Sequence, residues 1–272
     1  KKPPLAVTVL FQILSISFKK KEQNNLIEDD GERLSKSLES MGTTFIKLGQ
    51  FLATRPDIIG EELSLKLEKL QDRLPPFSIH EAKEIIKEDL GIDVFNSIID
   101  LSEPIAAASI AQVHRAKTRG GSLVALKIQL PDAAEKIEAD LLFFKRIAPL
   151  LQRWAEGWNV DQTVGELSRS IRQELDYYHE AANLTKFLAL YEAEEWVFPV
   201  LIPDLLSREV LAMSFVEGQP LRYFLADVPS AAEPLLQSLV RSFIKQIFVT
   251  GLFHADPHPG NFFVTPQGKL AL

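Results

Sequence analysis

The stretch from His254 to Asn261 holds the residue types that phosphoryl transfer requires. In that chemistry a carboxylate accepts or orients the proton of the nucleophile, and a nearby oxygen ligand binds Mg²⁺. Asp256 and Asn261 have the spacing H-x-D-x-x-x-x-N, which makes them the predicted catalytic acid and the predicted metal ligand. The prolines and the glycine between them favour a rigid, non-helical loop on which both side chains converge. Two alternatives stay open. Asp256 could only cap the backbone of a proline-rich turn, or His254 and His258 could form a zinc pair, which the prolines disfavour because such a pair needs an intact helix.

A lysine near the middle of the chain lies in a strongly apolar strand pattern. Lys127 ends the run Val124-Ala125-Leu126-Lys127, which matches the V-A-I-K pattern of the kinase ATP-binding lysine. A lysine flanked by apolar residues on a buried strand must find an anion, because an unpaired buried charge is costly. ATP phosphates and a helix glutamate are the obvious partners. The pattern alone is weak, since many edge strands carry a lysine.

Three acids in the segment 173–183 are candidates for that helix carboxylate. Asp176 and Glu180 are four residues apart and would share one face of a helix, whereas Glu174 would point elsewhere. One ideal helix cannot direct all three acids at one site, so we expect them to serve two partners. The alternative is a solvated acidic face.

Small residues precede the first strand of a predicted hairpin. Ala106 to Ser109 stand where ordinary protein kinases carry a glycine-rich loop over the phosphates. Their methyl groups would stiffen the loop and narrow the space above the phosphates, which suggests an unusual nucleotide geometry. The alternative is a small-residue turn that close packing requires.

The tetrapeptide Lys47-Leu48-Gly49-Gln50 lies in a predicted helix near the N-terminal end. A charged residue, a glycine and an amide within one turn let another backbone approach closely, although such a tetrapeptide alone is not specific. Because a lysine packed on a domain face needs an acid, we predict that Lys47 reaches Glu174 or Asp176. Gln50 is predicted to approach the phosphate region. The N-terminal helices would then cover the cleft in which a protein kinase binds its peptide.

Hydrophobic periodicity and turn residues divide the chain into a helical first part and a mixed second part. The predicted helices cover 30–74, a capped helix from Ser78 to Gly91, 132–156, 161–193 and 231–250. The predicted strands are 111–116, 123–128, 197–202, 210–216 and 262–264, with a hairpin turn at Gly120-Gly121. Helices followed by a small sheet and further helices indicate an α+β fold.

Composition restricts the classes of function. The net charge of −7 argues against nucleic acid as a partner, and the absence of cysteine excludes disulfides and thiolate zinc sites. Residues 1–21 nevertheless hold five lysines and no acid beside an apolar run, Leu5–Phe18, that is too short to span a bilayer comfortably. We predict that this segment contacts an anionic membrane surface; the alternative is a solvated basic start of a surface helix. Both ends of the sequence look cut.

Together these motifs resemble the UbiB family of atypical protein-kinase-like proteins, over residues 30–272. The resemblance implies a protein-kinase-like α+β fold, with an N-lobe of sheet and helices, a partial C-lobe and an N-terminal helical extension. It divides the chain into four parts: a basic and apolar segment at 1–29, the K-x-G-Q extension at 30–104, a kinase-like N-lobe with a helical insert at 105–218, and a partial C-lobe with the catalytic loop at 219–272.

The resemblance also assigns residues to the implied cofactors, ATP or ADP and Mg²⁺. The catalytic residues would be Asp256 and Lys127, and the metal ligand would be Asn261. The nucleotide-binding residues would be Ile105, Ala106, Ala107, Ala108, Ser109, Ile110, Ala111, Gln112, Val113, Lys127 and its ion-pair partner Glu180. The regulatory residues would be Lys47, Gly49, Gln50, Glu174 and Asp176. The family's D-F-G motif, with the second Mg²⁺ ligand, is expected directly after Leu272, which puts the activity of this fragment in doubt.

The implied activity is that of an ATPase or of a small-molecule or lipid-linked phosphotransferase that supports ubiquinone or related prenyl-quinone biosynthesis. The implied partners are a prenyl-quinone precursor or lipid, quinone-biosynthesis enzymes and a membrane surface. The implied location is the cytoplasmic face of a bacterial inner membrane, or an organellar equivalent. One alternative is a nucleotide-sensing, lipid-binding scaffold without turnover. Another is an aminoglycoside-type phosphotransferase, against which the Lys47 motif and the alanine-rich loop argue.

Overall fold

The computed structural model describes residues 30–68, 70, 75–155, 158–191, 196–228, 232–254 and 259–272. The segment 1–29, and with it the predicted membrane contact, lies outside these residues. Asp256 and His258 lie outside them as well. Within the described ranges, no helix has the length and the apolar composition that crossing a membrane requires.

The first part of the described chain is helical, as predicted. Its helices are α1 (Asp30–Met41), α2 (Thr43–Ala53), α3 (Pro56–Ile59) and α4 (Glu61–Leu67). Gly42, at φ 98°, and Gly60, at φ 85°, separate consecutive helices in a conformation that suits glycine. Apolar residues that recur at helical spacing in this part are buried: Leu34, Leu38, Phe45, Leu48 and Leu52. Met41, at the end of α1, has the same spacing but is 36% exposed.

The predicted capping box at Ser78 and Glu81 is confirmed. The Glu81 carboxylate accepts hydrogen bonds from the Ser78 backbone N–H at 2.9 Å and from the Ser78 hydroxyl at 2.8 Å. These bonds favour the ionised carboxylate and so hold the pKa of Glu81 below its ordinary value. The helix that follows is α5 (Ile79–Leu90), and Gly91 separates it from α6 (Ile92–Phe95).

The strands form two sheets. They are β1 (Ile98–Ile99), β2 (Pro104–Ala107), β3 (Ala111–Thr118), β4 (Leu123–Gln129), β5 (Trp196–Val197), β6 (Leu201–Leu206), β7 (Val210–Ser214), β8 (Gln219–Pro220), β9 (Phe263–Val264) and β10 (Leu270–Ala271). One sheet has the strand order β1-β3-β4-β7-β6, with β2 paired to β3, and the other has the order β5-β10-β9-β8. The hairpin predicted from Gly120-Gly121 joins β3 to β4, with Gly121 at φ 86°.

Two strand predictions need correction. The segment predicted as one strand at 197–202 is divided between β5 and β6, which belong to different sheets. The small-residue loop predicted from Ala106 to Ser109 begins later than expected, because Ala106 and Ala107 belong to β2, where they pair with β3. The loop therefore narrows to the few residues between β2 and β3, and the Ala108 N–H donates across it to the Ala111 carbonyl at 2.7 Å.

The long helix predicted at 161–193 is broken. Two helices, α8 (Val160–Glu174) and α9 (Tyr177–Leu190), replace it and follow α7 (Ala133–Leu151) along the chain. At the break the Gln129 side-chain amide donates to the Leu175 carbonyl at 2.7 Å, and the Tyr177 N–H donates to the Arg208 carbonyl at 3.3 Å. In a continuous helix these backbone groups would form hydrogen bonds with each other's neighbours along the helix, whereas here residues distant in sequence are their partners. Asp176 lies in the break, so the prediction that it shares one helical face with Glu180 is wrong.

The C-terminal part packs around an aromatic core. Its helices are α10 (Leu221–Asp227) and α11 (Ala232–Lys245), and the helix predicted at 231–250 ends in a π-helical turn, Gln246–Thr250. The buried core residues are Phe187, Tyr191, Trp196, Phe198, Leu221, Phe262, Val264 and Leu270. This core joins α9 and α10 to the second sheet.

The described residues fall into two compact units. The first takes residues from 30–85, Pro104–Val113 and Ile128–Asp176, and the second takes residues from Ile86–Glu103, His114–Lys127 and Tyr177–Leu272, with the gaps given above. Each unit is therefore assembled from three separate stretches of chain. Helices α1 to α4 share the first unit with α7 and α8, so the N-terminal extension is not a separate module.

Candidate functional site

Lys127 and Glu180 form the ion pair that the resemblance to the UbiB family implied. The Lys127 Nζ lies 2.9 Å from Glu180 Oε1 and 2.6 Å from Glu180 Oε2, and the two side chains are 27% and 39% exposed. Strand β4 supplies the lysine from a run whose Val124 and Leu126 are fully buried. The ammonium is thus held beside a carboxylate at a position that solvent, or an anionic ligand, can still reach.

Helix α9 brings the carboxylate to the lysine. The first residue of α9, Tyr177, has no exposed surface, and Ala181 is 3% exposed, so the helix is firmly seated on that side. The Lys127 Nζ lies over the Tyr177 ring, 5.0 Å from its centroid. The sequence reasoning missed this aromatic contact, although the tyrosine stands three residues before the glutamate.

The predicted nucleotide-binding stretch from Ile105 to Val113 divides by exposure. Its exposed members are Ile105, Ala106 and Ala108, its half-buried members are Ala107 and Val113, and its buried members are Ser109, Ile110, Ala111 and Gln112. The Ser109 carbonyl accepts a hydrogen bond from the Thr43 hydroxyl at 2.7 Å, and the Leu130 N–H donates to the Ile110 carbonyl at 2.9 Å. The side-chain surface that a ligand could contact therefore lies mostly in the first part of the stretch, Ile105–Ala108, and the nucleotide-binding role of the stretch stays a prediction.

The predicted contact of Lys47 with the acidic segment is confirmed for Glu174. The Lys47 Nζ lies 2.7 Å from Glu174 Oε2, and the two side chains are 17% and 40% exposed. The lysine is on α2 and the glutamate is the last residue of α8, both in the first compact unit. Gln50 follows Lys47 on α2 and is half-buried; its predicted approach to the phosphate region stays a prediction.

Gly49 allows α2 to pack closely. An added Cβ at this position would lie 2.3 Å from Leu70 Cδ1 and 2.9 Å from Leu38 Cδ1. Both leucines are buried, so there is little room for either to move away. The glycine of the K-x-G-Q motif is thus explained by packing within the first unit.

Further contacts hold α2 against α7, and no pattern in the sequence predicts them. The Thr44 hydroxyl donates to the Asp140 carboxylate at 2.6 Å, and the Phe45 and Phe144 rings meet edge to face with their centroids 5.1 Å apart. A threonine in the first turn of a helix has many possible partners, so the pairing of Thr44 with an acid on a distant helix could not be predicted from the sequence.

The two ends of the predicted catalytic loop are anchored. On one side the His254 N–H donates to the Gln246 side-chain carbonyl at 2.9 Å, and Gln246 is itself buried. On the other side Asn261 ends a 3-10 turn (Pro259–Asn261), and the carbonyl of the buried Phe262 accepts from the Leu221 N–H at 2.8 Å. The part of the chain that the structure describes contains no group of three or more His, Cys, Asp or Glu side chains suited to a metal ion. The catalytic and metal-binding roles of Asp256 and Asn261 stay predictions.

A lysine on a sheet strand that is paired with a helix glutamate, followed along the chain by an H-x-D-x-x-x-x-N loop, defines a kinase-like protein. Residues 69–272 match the family described as the ABC1 atypical kinase-like domain. This chain belongs to that family, and the predicted resemblance and kinase-like α+β fold are confirmed.

Relatives in plants and bacteria are similar over most of the chain. The chloroplastic protein ACTIVITY OF BC1 COMPLEX KINASE 3 of Arabidopsis thaliana is 36% identical over an alignment of 265 residues, and the match covers 92% of this chain and 37% of that protein. The probable protein kinase UbiB of Marinobacter nauticus is 36% identical over an alignment of 245 residues, and the match covers 86% of this chain and 44% of that protein. The chain thus spans less than half the length of these relatives.

A solved structure shares the fold. In the Rv3197–erythromycin complex from Mycobacterium tuberculosis, the protein superposes with a TM-score of 0.62 at 30% sequence identity. The match covers 86% of this chain and 61% of that one.

Proposed function

We propose that this chain is the nucleotide-binding part of an atypical kinase-like enzyme, an ATPase or a small-molecule or lipid-linked phosphotransferase. The observation that carries the proposal is the ion pair between Lys127 and Glu180, at 2.6 Å. In protein kinases the strand lysine reaches the nucleotide phosphates, and a helix glutamate must hold it in place for phosphoryl transfer. A partly exposed lysine that is already held by a carboxylate suits this task, because its ammonium keeps one N–H donor for a phosphate oxygen.

The residues of the second unit fit ATP and Mg²⁺. Lys127 would bring positive charge to the phosphates, and the Asn261 amide carbonyl is a hard oxygen ligand of the kind that Mg²⁺ accepts. Asp256 would accept or orient the proton of the attacking group. Bound Mg²⁺ would neutralise the charge that develops on the transferred phosphoryl group.

The K-x-G-Q motif is proposed to regulate this chemistry. The Lys47–Glu174 ion pair supports the proposal, because it fixes α2 to α8, and α8 directly precedes α9, the helix that carries Glu180. In the family such an extension would block a protein substrate and favour small-molecule or ATPase chemistry. The covering of the cleft by these helices remains part of the proposal.

The biological role proposed is support of ubiquinone or related prenyl-quinone biosynthesis, and relatives that bear the name UbiB support it. The partners would be a prenyl-quinone precursor or lipid, together with quinone-biosynthesis enzymes. The chain would act at a membrane surface, which the five lysines of residues 1–21 would contact. We expect salt-sensitive binding to anionic vesicles, with a contribution of about 1 kcal/mol for each lysine near the surface. Neutral vesicles and a chain without residues 1–21 are the controls. Equal binding to neutral and anionic vesicles, or binding that survives deletion of residues 1–21, would contradict this role.

Calorimetry with Mg-ATP and Mg-ADP tests the nucleotide site. Lys127→Met removes charge-assisted hydrogen bonds worth about 1.5–3 kcal/mol each, so the affinity should fall at least tenfold. Lys136→Met is the matched control, because this lysine is 71% exposed and its ion pair, with Asp132 at 3.5 Å, is a local one between residues four apart along the chain. Equal affinities of the wild-type chain and a folded Lys127→Met variant would remove Lys127 from the site.

ATP turnover separates the enzyme from a nucleotide-sensing scaffold. The presence of Lys127, Asp256 and Asn261 together in the sequence favours an enzyme, since a scaffold need not keep all three. In the intact protein we expect ATP turnover that Asp256→Asn abolishes while nucleotide binding persists. Nucleotide binding without turnover, in the presence and absence of membranes with a prenyl-quinone precursor, would favour the scaffold.

A further inference from the structure

The ring beside Lys127 belongs to a residue outside every sequence motif considered above. Tyr177 is the first residue of α9 and has no exposed surface. The Lys127 Nζ lies over its ring, 5.0 Å from the centroid. A cation at this distance from an aromatic face is attracted by the quadrupole of the ring, and the attraction is stronger where water is excluded.

One helix presents two different groups to the same ammonium. Tyr177 and Glu180 are three residues apart on α9, so they lie on one side of that helix. The Nζ is within hydrogen-bond distance of both Glu180 oxygens, at 2.9 and 2.6 Å, while the ring attracts the same charge. A lysine ammonium has three N–H donors on a flexible side chain. The Glu180 carboxylate and the Tyr177 ring together restrict the directions in which the unused N–H donor can point.

The start of α9 is fixed in place, so the ring is as well. The Tyr177 N–H donates to the carbonyl of Arg208, in the turn between β6 and β7. That turn is itself held, because the Ser207 hydroxyl donates to the Asp89 carboxylate and accepts from the Val210 N–H at 2.9 Å. Residue 177 is therefore anchored to a hydrogen-bonded turn of the sheet, and the start of α9 is not a free helix end.

We propose that Tyr177 is a positioning residue for Lys127. Its buried ring holds the ammonium beside Glu180, so that the remaining N–H donor points to an anionic phosphate group. The identity of that anion rests on the proposed nucleotide-binding function. The attraction between ring and ammonium does not, and it can be measured without a nucleotide.

Three variants of the whole chain isolate the ring. Tyr177→Phe keeps the aromatic face, and Tyr177→Leu removes it. Phe187→Leu is the matched control, because it removes another buried ring from the same helix, one that packs against Tyr191 and Phe198. Incorporation of phenylalanines with increasing numbers of fluorine atoms at position 177 weakens the quadrupole while keeping the shape of the ring, and it replaces Tyr177→Leu if that variant does not fold.

Two measurements are made on each variant. The first is the NMR chemical shift of the Lys127 side-chain methylene groups in lysine-labelled protein, assigned by the loss of the signal in Lys127→Met, because an aromatic face displaces these shifts. The second is the affinity for Mg-ATP. We expect Tyr177→Phe and Phe187→Leu to keep the displaced Lys127 shift and the wild-type affinity for Mg-ATP. Tyr177→Leu should lose the displaced shift and bind Mg-ATP about two- to thirty-fold more weakly. The fluorinated series should weaken binding with each added fluorine.

The proposal is overturned if a folded Tyr177→Leu variant binds Mg-ATP as tightly as the wild-type chain, or if affinity does not respond to fluorination. It is equally overturned if Phe187→Leu weakens binding as much, since the effect would then be a general loss of packing. A wild-type chain that binds no Mg-nucleotide would refute the proposed function. In that event the Lys127 shifts alone decide whether the ring holds the ammonium.

Discussion

Replacement of Gly49 by alanine tests whether the glycine of the K-x-G-Q motif serves packing. The new Cβ would lie 2.3 Å from Leu70 Cδ1 and 2.9 Å from Leu38 Cδ1, closer than such atoms normally approach. The two leucines are 6% and 1% exposed, so their methyl groups have few other positions to take. Accommodation of the alanine must therefore displace buried side chains or shift α2 itself.

Two effects of opposite sign determine how much Gly49→Ala changes the free energy of unfolding. Alanine in place of glycine within a helix stabilises the fold by about 0.5–1 kcal/mol, because the unfolded chain loses freedom and the helix gains a better former. Overpacking of a filled core costs about 1–3 kcal/mol. The second effect is the larger, so we expect Gly49→Ala to lower the free energy of unfolding by about 1 kcal/mol.

Gly165→Ala is the matched control. Gly165 lies within α8, and an added Cβ there would meet nothing within 4 Å. Only the helix term acts at this position, so this variant should be more stable than the wild-type chain by about 0.5–1 kcal/mol. Denaturant unfolding followed by circular dichroism measures both variants against the wild type. A Gly49→Ala variant that gains stability as Gly165→Ala does would refute the packing explanation of the motif.

Three further predictions concern titration, ion pairing and the alanine-rich stretch. His114 is fully buried, and burial lowers its pKa below the ordinary 6.5. As the pH falls, the imidazole is therefore protonated in the unfolded chain before it is protonated in the folded chain, and thermal stability should fall as the pH drops below 6.5. His114→Gln should reduce that loss and His80→Gln, at an exposed position, should not; identical pH profiles for all three proteins would contradict the assignment. A double-mutant cycle with Lys47→Met and Glu174→Gln should give a coupling energy of about 0.5–1 kcal/mol in denaturant unfolding, because the pair is partly exposed, and strictly additive effects would show that the contact does not stabilise the fold. In the intact protein, Ala107→Gly should change the ratio of ATP to ADP affinity in calorimetry by freeing the backbone at the end of β2, next to the loop, and an unchanged ratio would leave the alanine a packing role alone.

Both ion pairs at the candidate site could be predicted because charge imposes a strict requirement. A lysine on a buried strand or a packed helix needs an anionic partner, because an unpaired buried charge is costly. This requirement directed Lys47 to the segment that contains Glu174 and Lys127 to a helix glutamate, and the resemblance to the UbiB family identified that glutamate as Glu180. The capping box at Ser78 was equally accessible, since its two partners are three residues apart and need no knowledge of the fold.

The break in the helix at Leu175 could not be predicted in the same way. The local sequence is compatible with a helix, and the carbonyl is taken by the side chain of Gln129, 46 residues away. The bond from Thr43 to the Ser109 carbonyl has the same character, since its partners are 66 residues apart. Contacts of this kind form only in the folded tertiary structure, so a pattern of neighbouring residues in the sequence cannot predict them.

The interleaving of the two compact units decides how this chain can be divided. A fragment ending at Asp176 would hold all of the first unit, yet it would also carry Ile86–Glu103 and His114–Lys127, which belong to the second. A fragment beginning at Tyr177 would contain Glu180 and lack the strand that carries Lys127. No single cleavage yields two complete units, so limited proteolysis or two-fragment expression should give pieces that recover native structure only when they are recombined. During synthesis on the ribosome, likewise, the first unit can close as soon as Asp176 has emerged, whereas the lysine must wait for the next part of the chain to supply its glutamate.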